Sequence, residues 1–179
     1  MQDPDRICIK ILTAAVLFML LYSLPVPAQS IGLSVSGTIA DMQLTPGTTN
    51  QDSSISLTVT TDAGNWSVTA SDPLVGKPTG TGGYMTEYND TDARYIAAPA
   101  FKVLSDPFGM NTSPDPDPGI TGYNGTPGAG TLLVYSGSKS PGTVTLPIIF
   151  SQAVTLTDPR LTNGNKYRID ILFTGTVLE

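Results

Sequence analysis

The chain has 179 residues, a net charge of −6 and no histidine, and 13% of its residues are charged. This length suits one domain. The lack of histidine excludes Ser-His-Asp and Cys-His catalysis and the usual His/Cys zinc sites. The acidic balance argues against binding to nucleic acid, because phosphates need a Lys/Arg surface. We therefore expect a protein that is not an enzyme and that uses no cofactor or metal.

The first 28 residues have the layout of a signal peptide. Arg6 and Lys10 precede an apolar run from Ile11 to Leu24, which is shorter than the ~20 residues that a membrane-spanning helix needs. Small residues follow, so we predict cleavage between Ala28 and Gln29. An uncleaved N-terminal anchor is the alternative.

The predicted mature chain, residues 29–179, is expected to be secreted or to lie at the cell surface as one domain with no membrane span. The only cysteine, Cys8, precedes the apolar run, whereas the cysteine of a lipoprotein follows it. The mature chain therefore has no thiol and can form no disulfide, although disulfides are common in exported proteins. Its fold must be held by its core alone.

Apolar residues alternate with small polar ones in three segments, which predicts strands at Ile31–Ile39, Ile55–Thr60 and Trp66–Ala70. The last two flank the turn residues Asp62–Asn65, so we predict a hairpin. Trp66 is the only tryptophan and shares its face with apolar residues. We expect it to be a core anchor between two sheets, and a stacking platform for a sugar is the alternative.

The middle of the chain, about 71–130, is rich in Gly, Pro, Asn, Asp and Thr and is predicted to consist largely of loops. Tyr95–Leu104 is its best strand candidate. The segment 106–130 is predicted to be a long exposed loop, because the prolines at 113–119 cannot donate hydrogen bonds to a sheet.

Strand patterns return at Thr131–Tyr135, Val144–Leu156 and Tyr167–Phe173, with Pro147 expected at an edge or bend. About eight short strands separated by many turns are typical of an all-β fold. We predict a two-sheet antiparallel sandwich, with a β-barrel as the alternative.

Two short motifs resemble a known family. Trp66-Ser67-Val68 follows a turn early in the mature chain, and Tyr167 begins a late strand that carries Phe173 and Gly175. This layout is similar to that of secreted β-sandwich surface proteins with WxL-type domains. The family has an early Trp-x-Leu strand and a second Trp-x-Leu in a late, Tyr-containing strand. The resemblance implies non-covalent display on the cell envelope and no enzymatic reaction.

Two further kinds of motif lie in predicted turns. Four Asn-x-Ser/Thr triplets make the protein a candidate glycoprotein, at Asn65, Asn89, Asn111 and Asn124. Asn89–Asp92 and Asp115–Asp117 offer alternating oxygen ligands of the type that Ca²⁺ prefers, but neither matches a complete calcium loop. We interpret these acids as solvated turn residues.

The expected function is that of a non-enzymatic structural protein of the cell surface or envelope. Because the first and last strands are apolar and alternate cleanly, they are expected to pair with other copies or with other envelope proteins if they lie at sheet edges. The alternative is an adhesion-type binding module for a glycan or a protein partner. Its contact surface would be formed by the tyrosines of the predicted loops, Tyr84, Tyr88, Tyr95 and Tyr123.

Overall fold

The computed structural model describes residues 28–37, 42–112, 118–128, 130–138, 140–161 and 164–178. The predicted leader, apart from Ala28, and the acids at 115–117 lie outside the described residues. Within the described residues there are no helices, and every strand pair is antiparallel. The all-β prediction is confirmed.

The described residues form eleven strands, more than the sequence pattern predicts. In chain order they are β1 (Ile31–Ser36), β2 (Thr48–Thr61), β3 (Trp66–Ser71), β4 (Thr86–Asn89), β5 (Arg94–Tyr95), β6 (Gly109–Thr112), β7 (Ile120–Gly122), β8 (Leu132–Gly137), β9 (Gly142–Val154), β10 (Lys166–Arg168) and β11 (Leu172–Val177).

The strands form two four-stranded sheets and one small sheet. The first sheet has the order β1-β2-β9-β6, and the second has the order β11-β3-β8-β7. Buried side chains from both sheets belong to one core cluster, as in a sandwich. The small sheet, β10-β4-β5, is an addition that the sequence pattern did not indicate.

The core follows from the alternation of apolar residues along the long strands. Leu57 and Val59 of β2 are fully buried, and so are Trp66 and Val68 of β3. Because side chains alternate between the two faces of a strand, these residues point to the same interior from opposite sheets. Burying an apolar side chain of this size contributes ~1.5–3 kcal/mol.

The predicted hairpin between the second and third strand segments is wrong. β2 pairs with β1 and β9, whereas β3 pairs with β11 and β8, so the turn at 62–65 carries the chain from one sheet to the other. Side-chain hydrogen bonds hold this turn in place. The Thr61 hydroxyl accepts the N–H of Ala63 at 3.0 Å, and the Ser140 hydroxyl donates to the Thr61 carbonyl at 2.8 Å. Alternation reveals the buried face of a strand but is the same in a hairpin and in a crossover.

The prediction of one exposed loop over 106–130 is also wrong. The segment contains β6 and β7, and Phe108, Met110 and Ile120 in it are buried. The earlier candidate strand, Tyr95–Leu104, is mostly irregular: only Tyr95 lies in a strand, and Val103 forms a single bridge. The strands β5, β6 and β7 are too short for an alternation of apolar and polar residues to be recognised in the sequence.

Candidate functional site

The first and last strands lie at sheet edges on the same side of the sandwich. β1 is the edge of the first sheet and pairs only with β2, and β11 is the edge of the second sheet and pairs only with β3. Among the described residues, no backbone hydrogen bond joins β1 to β11. We call this pair of edges, Ile31–Ser36 with Leu172–Val177, the β1/β11 seam.

Apolar contacts close the interior at this seam. Gly175 lies against Ile31 and Leu33, because a Cβ built on Gly175 would be 3.1 Å from the Cδ1 atom of each. The absence of a side chain at Gly175 thus lets the two edges approach. Each edge nevertheless keeps a row of backbone donors and acceptors that no described strand pairs.

The opposite side of the sandwich is closed by backbone hydrogen bonds. Met110 of β6 and Gly125, which follows β7, exchange two N–H to carbonyl bonds of 2.8 and 2.9 Å. The Asn124 side chain accepts the N–H of Thr112 at 2.8 Å. The two sheets are therefore linked on this side and not at the β1/β11 seam.

The seam strands also lack the residues that usually protect sheet edges. Natural proteins place Lys, other charges or Pro on exposed edges to prevent pairing with other chains. Neither Ile31–Ser36 nor Leu172–Val177 contains a charged residue or a proline. The edges of the small sheet, by contrast, carry Arg94 on β5 and both Lys166 and Arg168 on β10.

An apolar cavity of about 590 Å³ lies at one end of the seam. Val35 of β1 and Phe173 of β11 both line it, and so do Phe108 and Phe150, whose rings stack at 5.4 Å. Much of its wall comes from connections such as the one at 169–171. The sequence does not reveal this cavity, because its lining comes from segments that are far apart in the chain and partly irregular.

The four tyrosines of the predicted binding loops do not share one exposed surface. Tyr88 and Tyr95 are buried and pack edge to face, with ring centroids 5.1 Å apart. Tyr84 is half-buried. Tyr123 is 37% exposed, and its hydroxyl lies 3.1 Å from that of Ser136 in the second sheet. The aromatic contact area that the binding alternative requires is thus largely inside the protein.

Polar groups on the small sheet form a network that stabilises the structure. The Tyr95 hydroxyl donates to Asp170 at 2.9 Å, and Asp170 also pairs with Arg168 at 2.7 Å. The Arg168 guanidinium lies 4.3 Å from the centroid of the Tyr88 ring. Burial and the hydrogen bond to Asp170 raise the pKa of Tyr95 well above its usual value. Tyr95 is therefore a protonated donor within this network.

Two buried carboxylates are engaged in structural contacts. Asp72 pairs with Lys77 at 2.5 Å, and neither side chain is exposed. Glu87 is buried and accepts the N–H of Lys102 at 3.1 Å and the side-chain amide of Asn165 at 2.7 Å. The sequence does not indicate either contact, because the positions of the partners depend on the folded loops.

The four predicted glycosylation sites differ in exposure. Asn65 is exposed in the turn before β3, and Asn124 is exposed but its side chain holds the N–H of Thr112. Asn89 is half-buried and accepts two backbone N–H groups of its own turn, and Asn111 is half-buried within β6. Glycosylation stays a prediction, and Asn65 is its most accessible candidate.

The predicted cleavage site and the acidic turn are both exposed. Ala28 and Gln29 are exposed directly before β1, and cleavage between them stays a prediction. In this turn, Asp90 pairs with Lys166 at 2.9 Å and Asp92 pairs with Arg94 of β5 at 3.2 Å. Within the described part of the chain, no group of three or more His, Cys, Asp or Glu residues could hold a metal ion.

Comparison with known proteins adds no relative. No family model matches the chain, and neither a curated protein nor a solved structure matches it. In the described part of the chain, there is no helix that is long and apolar enough to cross a membrane.

Proposed function

We propose that this chain is a secreted, non-enzymatic structural protein of the cell surface or envelope that assembles with other copies by pairing of β-strands. The apparent signal peptide supports export, and the absence of histidine and cysteine from residues 29–179 argues against the common forms of nucleophilic and acid–base catalysis. The resemblance to WxL-type surface domains agrees with this role.

The observation that carries the proposal is the β1/β11 seam. Its two strands have unpaired edges without charge or proline, and such edges pair readily with another strand. An exported protein without disulfides can form a stable assembly in this way, because each added strand satisfies backbone groups and covers apolar side chains.

The binding-module alternative has less support. It needs several tyrosines to face the solvent together, and Tyr88 and Tyr95 are buried against each other. Of the four, only Tyr123 is exposed. One exposed ring is a small contact surface for a glycan or a protein.

Two measurements test the proposal. Fractionation of the native protein, with determination of its first residue, should find it outside the cytoplasm and beginning at Gln29. Sedimentation equilibrium of residues 29–179 over a range of concentrations should give a mass above that of one chain. A cytoplasmic protein that keeps Met1 would overturn export, and a strict monomer at high concentration would overturn assembly.

A further inference from the structure

We infer that the β1/β11 seam binds the same seam of a second copy across a two-fold axis, so that assembly through it ends at a dimer. This inference rests on the proposed function and makes it more specific. It identifies the surface, the partner and the number of copies.

The positions of the two edges favour a second copy as the partner. Gly175 lies against Ile31 and Leu33, and Phe173 shares the cavity wall with Val35. The residue numbers thus fall along β11 as they rise along β1, so the two strands run side by side in opposite directions.

This arrangement is self-complementary. A two-fold axis perpendicular to the sheets would pair β1 with β1 of the second copy and β11 with β11 of the second copy. An axis along the strands would pair β1 with the second copy's β11. All of these pairs are antiparallel, and both edges of each copy gain a partner in a single interface. Two-fold interfaces of this kind are the commonest in soluble oligomers.

The chemistry of the seam also fits a second copy. The two strands carry no charge, so two seams meet without repulsion. Val35 and Leu172, both 53% exposed, lie on the seam strands and would lose solvent contact in the pair. A charged partner would find no opposite charge on these strands.

Closure at two copies follows from the two-fold symmetry, because a single interface uses both edges of each seam. The side opposite the seam is linked by the backbone bonds between Met110 and Gly125. The edges of the small sheet carry the basic residues Arg94, Lys166 and Arg168, which discourage pairing. Once two seams have met, neither copy has a β1 or β11 edge left to pair with a third copy.

Cysteine cross-linking tests the interface, because residues 29–179 contain no thiol and any introduced cysteine is unique. Outward-facing positions on both strands are suitable, namely Ser34→Cys and Thr174→Cys with their neighbours two residues away. The matched control is Thr121→Cys, an exposed residue of β7 on the closed side. A short bismaleimide is the probe, and the products are separated by denaturing electrophoresis.

We expect dimer bands from the seam variants, singly or as a mixture of the two, and none from Thr121→Cys. If dimers form only when Ser34→Cys and Thr174→Cys are mixed, the two-fold axis runs along the strands. If dimers form from each variant alone and no mixed dimer forms, the two-fold axis is perpendicular to the sheets. Both results support the inference. An oligomer that cross-links through Thr121→Cys and not through the seam would overturn the inference, and so would a sedimentation mass of the parent chain above that of two chains.

A charge variant gives an independent reading. Ser34→Lys combined with Thr174→Lys places like charges on both edges, and we expect its sedimentation mass to fall to that of one chain. Its circular dichroism and melting temperature should show that it remains folded, and Thr121→Lys should keep the parent mass. If the parent chain is itself a strict monomer, assembly in the proposed function fails. If the parent is an oligomer that the two lysines leave intact, this inference alone fails.

Discussion

The backbone of Gly137 lies directly against the indole ring of Trp66. The two residues are opposite each other in β8 and β3, and a Cβ built on Gly137 would lie 2.2 Å from Cε2 of the ring. Trp66 is fully buried, so a side chain at 137 would have to displace the ring or the backbone. Glycine at 137 is therefore a packing requirement of the second sheet.

We expect Gly137→Ala to lower the free energy of unfolding by ~1–3 kcal/mol, because overpacking forces side chains and backbone to shift. Denaturant unfolding followed by tryptophan fluorescence measures this directly, since Trp66 is the only tryptophan. Gly64→Ala is the matched control, because nothing lies within 4 Å of a Cβ built there. Equal stability of the two variants would contradict the packing argument.

A hydrogen bond inside the core links the two sheets. The Tyr135 hydroxyl of β8 donates to the Pro147 carbonyl of β9 at 2.6 Å, and Tyr135 is fully buried. Tyr135→Phe keeps the ring but leaves that carbonyl without this donor, which should cost ~1–3 kcal/mol. Tyr123→Phe, at an exposed ring, should change stability by less than ~0.5 kcal/mol. The same loss for both variants would show that the inter-sheet bond contributes nothing particular.

Local patterns predict the faces of strands well in this chain. Alternation at Ile55–Thr60 and Trp66–Ala70 correctly identifies the buried residues, because the orientation of a side chain on a strand is a local property. Pairing is not local. β2 joins β9, far along the chain, at Leu57 and Leu146, and no nearby residue indicates that partner.

The seam and the cavity show a similar limit. The sequence predicts apolar, alternating terminal strands but places the last one at Tyr167–Phe173, whereas the edge strand is Leu172–Val177. Only the fold brings the first and last strands to edges on one side. The closure of the other side depends on backbone bonds between Met110 and Gly125, which leave no side-chain pattern. Pro147, predicted at an edge or bend, pairs with β2 on one side and on the other lies one residue before the part of β9 that pairs with β6. Proline is acceptable there because β6 has already ended.

The third prediction concerns the buried ion pair of Asp72 and Lys77. Lys77→Met should lower the free energy of unfolding by ~3–5 kcal/mol, because it leaves the Asp72 charge buried without its counter-ion. Lys166→Met is the matched control: its ion pair with Asp90 is 51% exposed on both sides, and such pairs contribute ~0–1 kcal/mol. Thermal unfolding of both variants at neutral pH makes the comparison. A Lys77→Met protein as stable as the control would mean that Asp72 is compensated by other groups.

The last prediction concerns alkaline pH. Burial raises the pKa of Tyr167 to about 12, helped by the negative charges of Asp158 and Glu87, and its hydroxyl donates to the Pro159 carbonyl at 2.5 Å. The unfolded phenol ionises near pH 10, so the folded state favours the neutral form. This stabilisation is complete below pH 10 and is lost as the pH rises to about 12.

Tyr167→Phe should therefore make the decline in stability between pH 10 and 12 shallower than in the parent protein, even if the variant is less stable at pH 7. Denaturant unfolding at several pH values measures the slope. Tyr95→Phe is a useful comparison, because burial and Asp170 raise the pKa of Tyr95 too. The double variant should have the flattest profile, since each phenol contributes to the decline separately. An unchanged slope in Tyr167→Phe would show that the neutral Tyr167 phenol does not stabilise the fold.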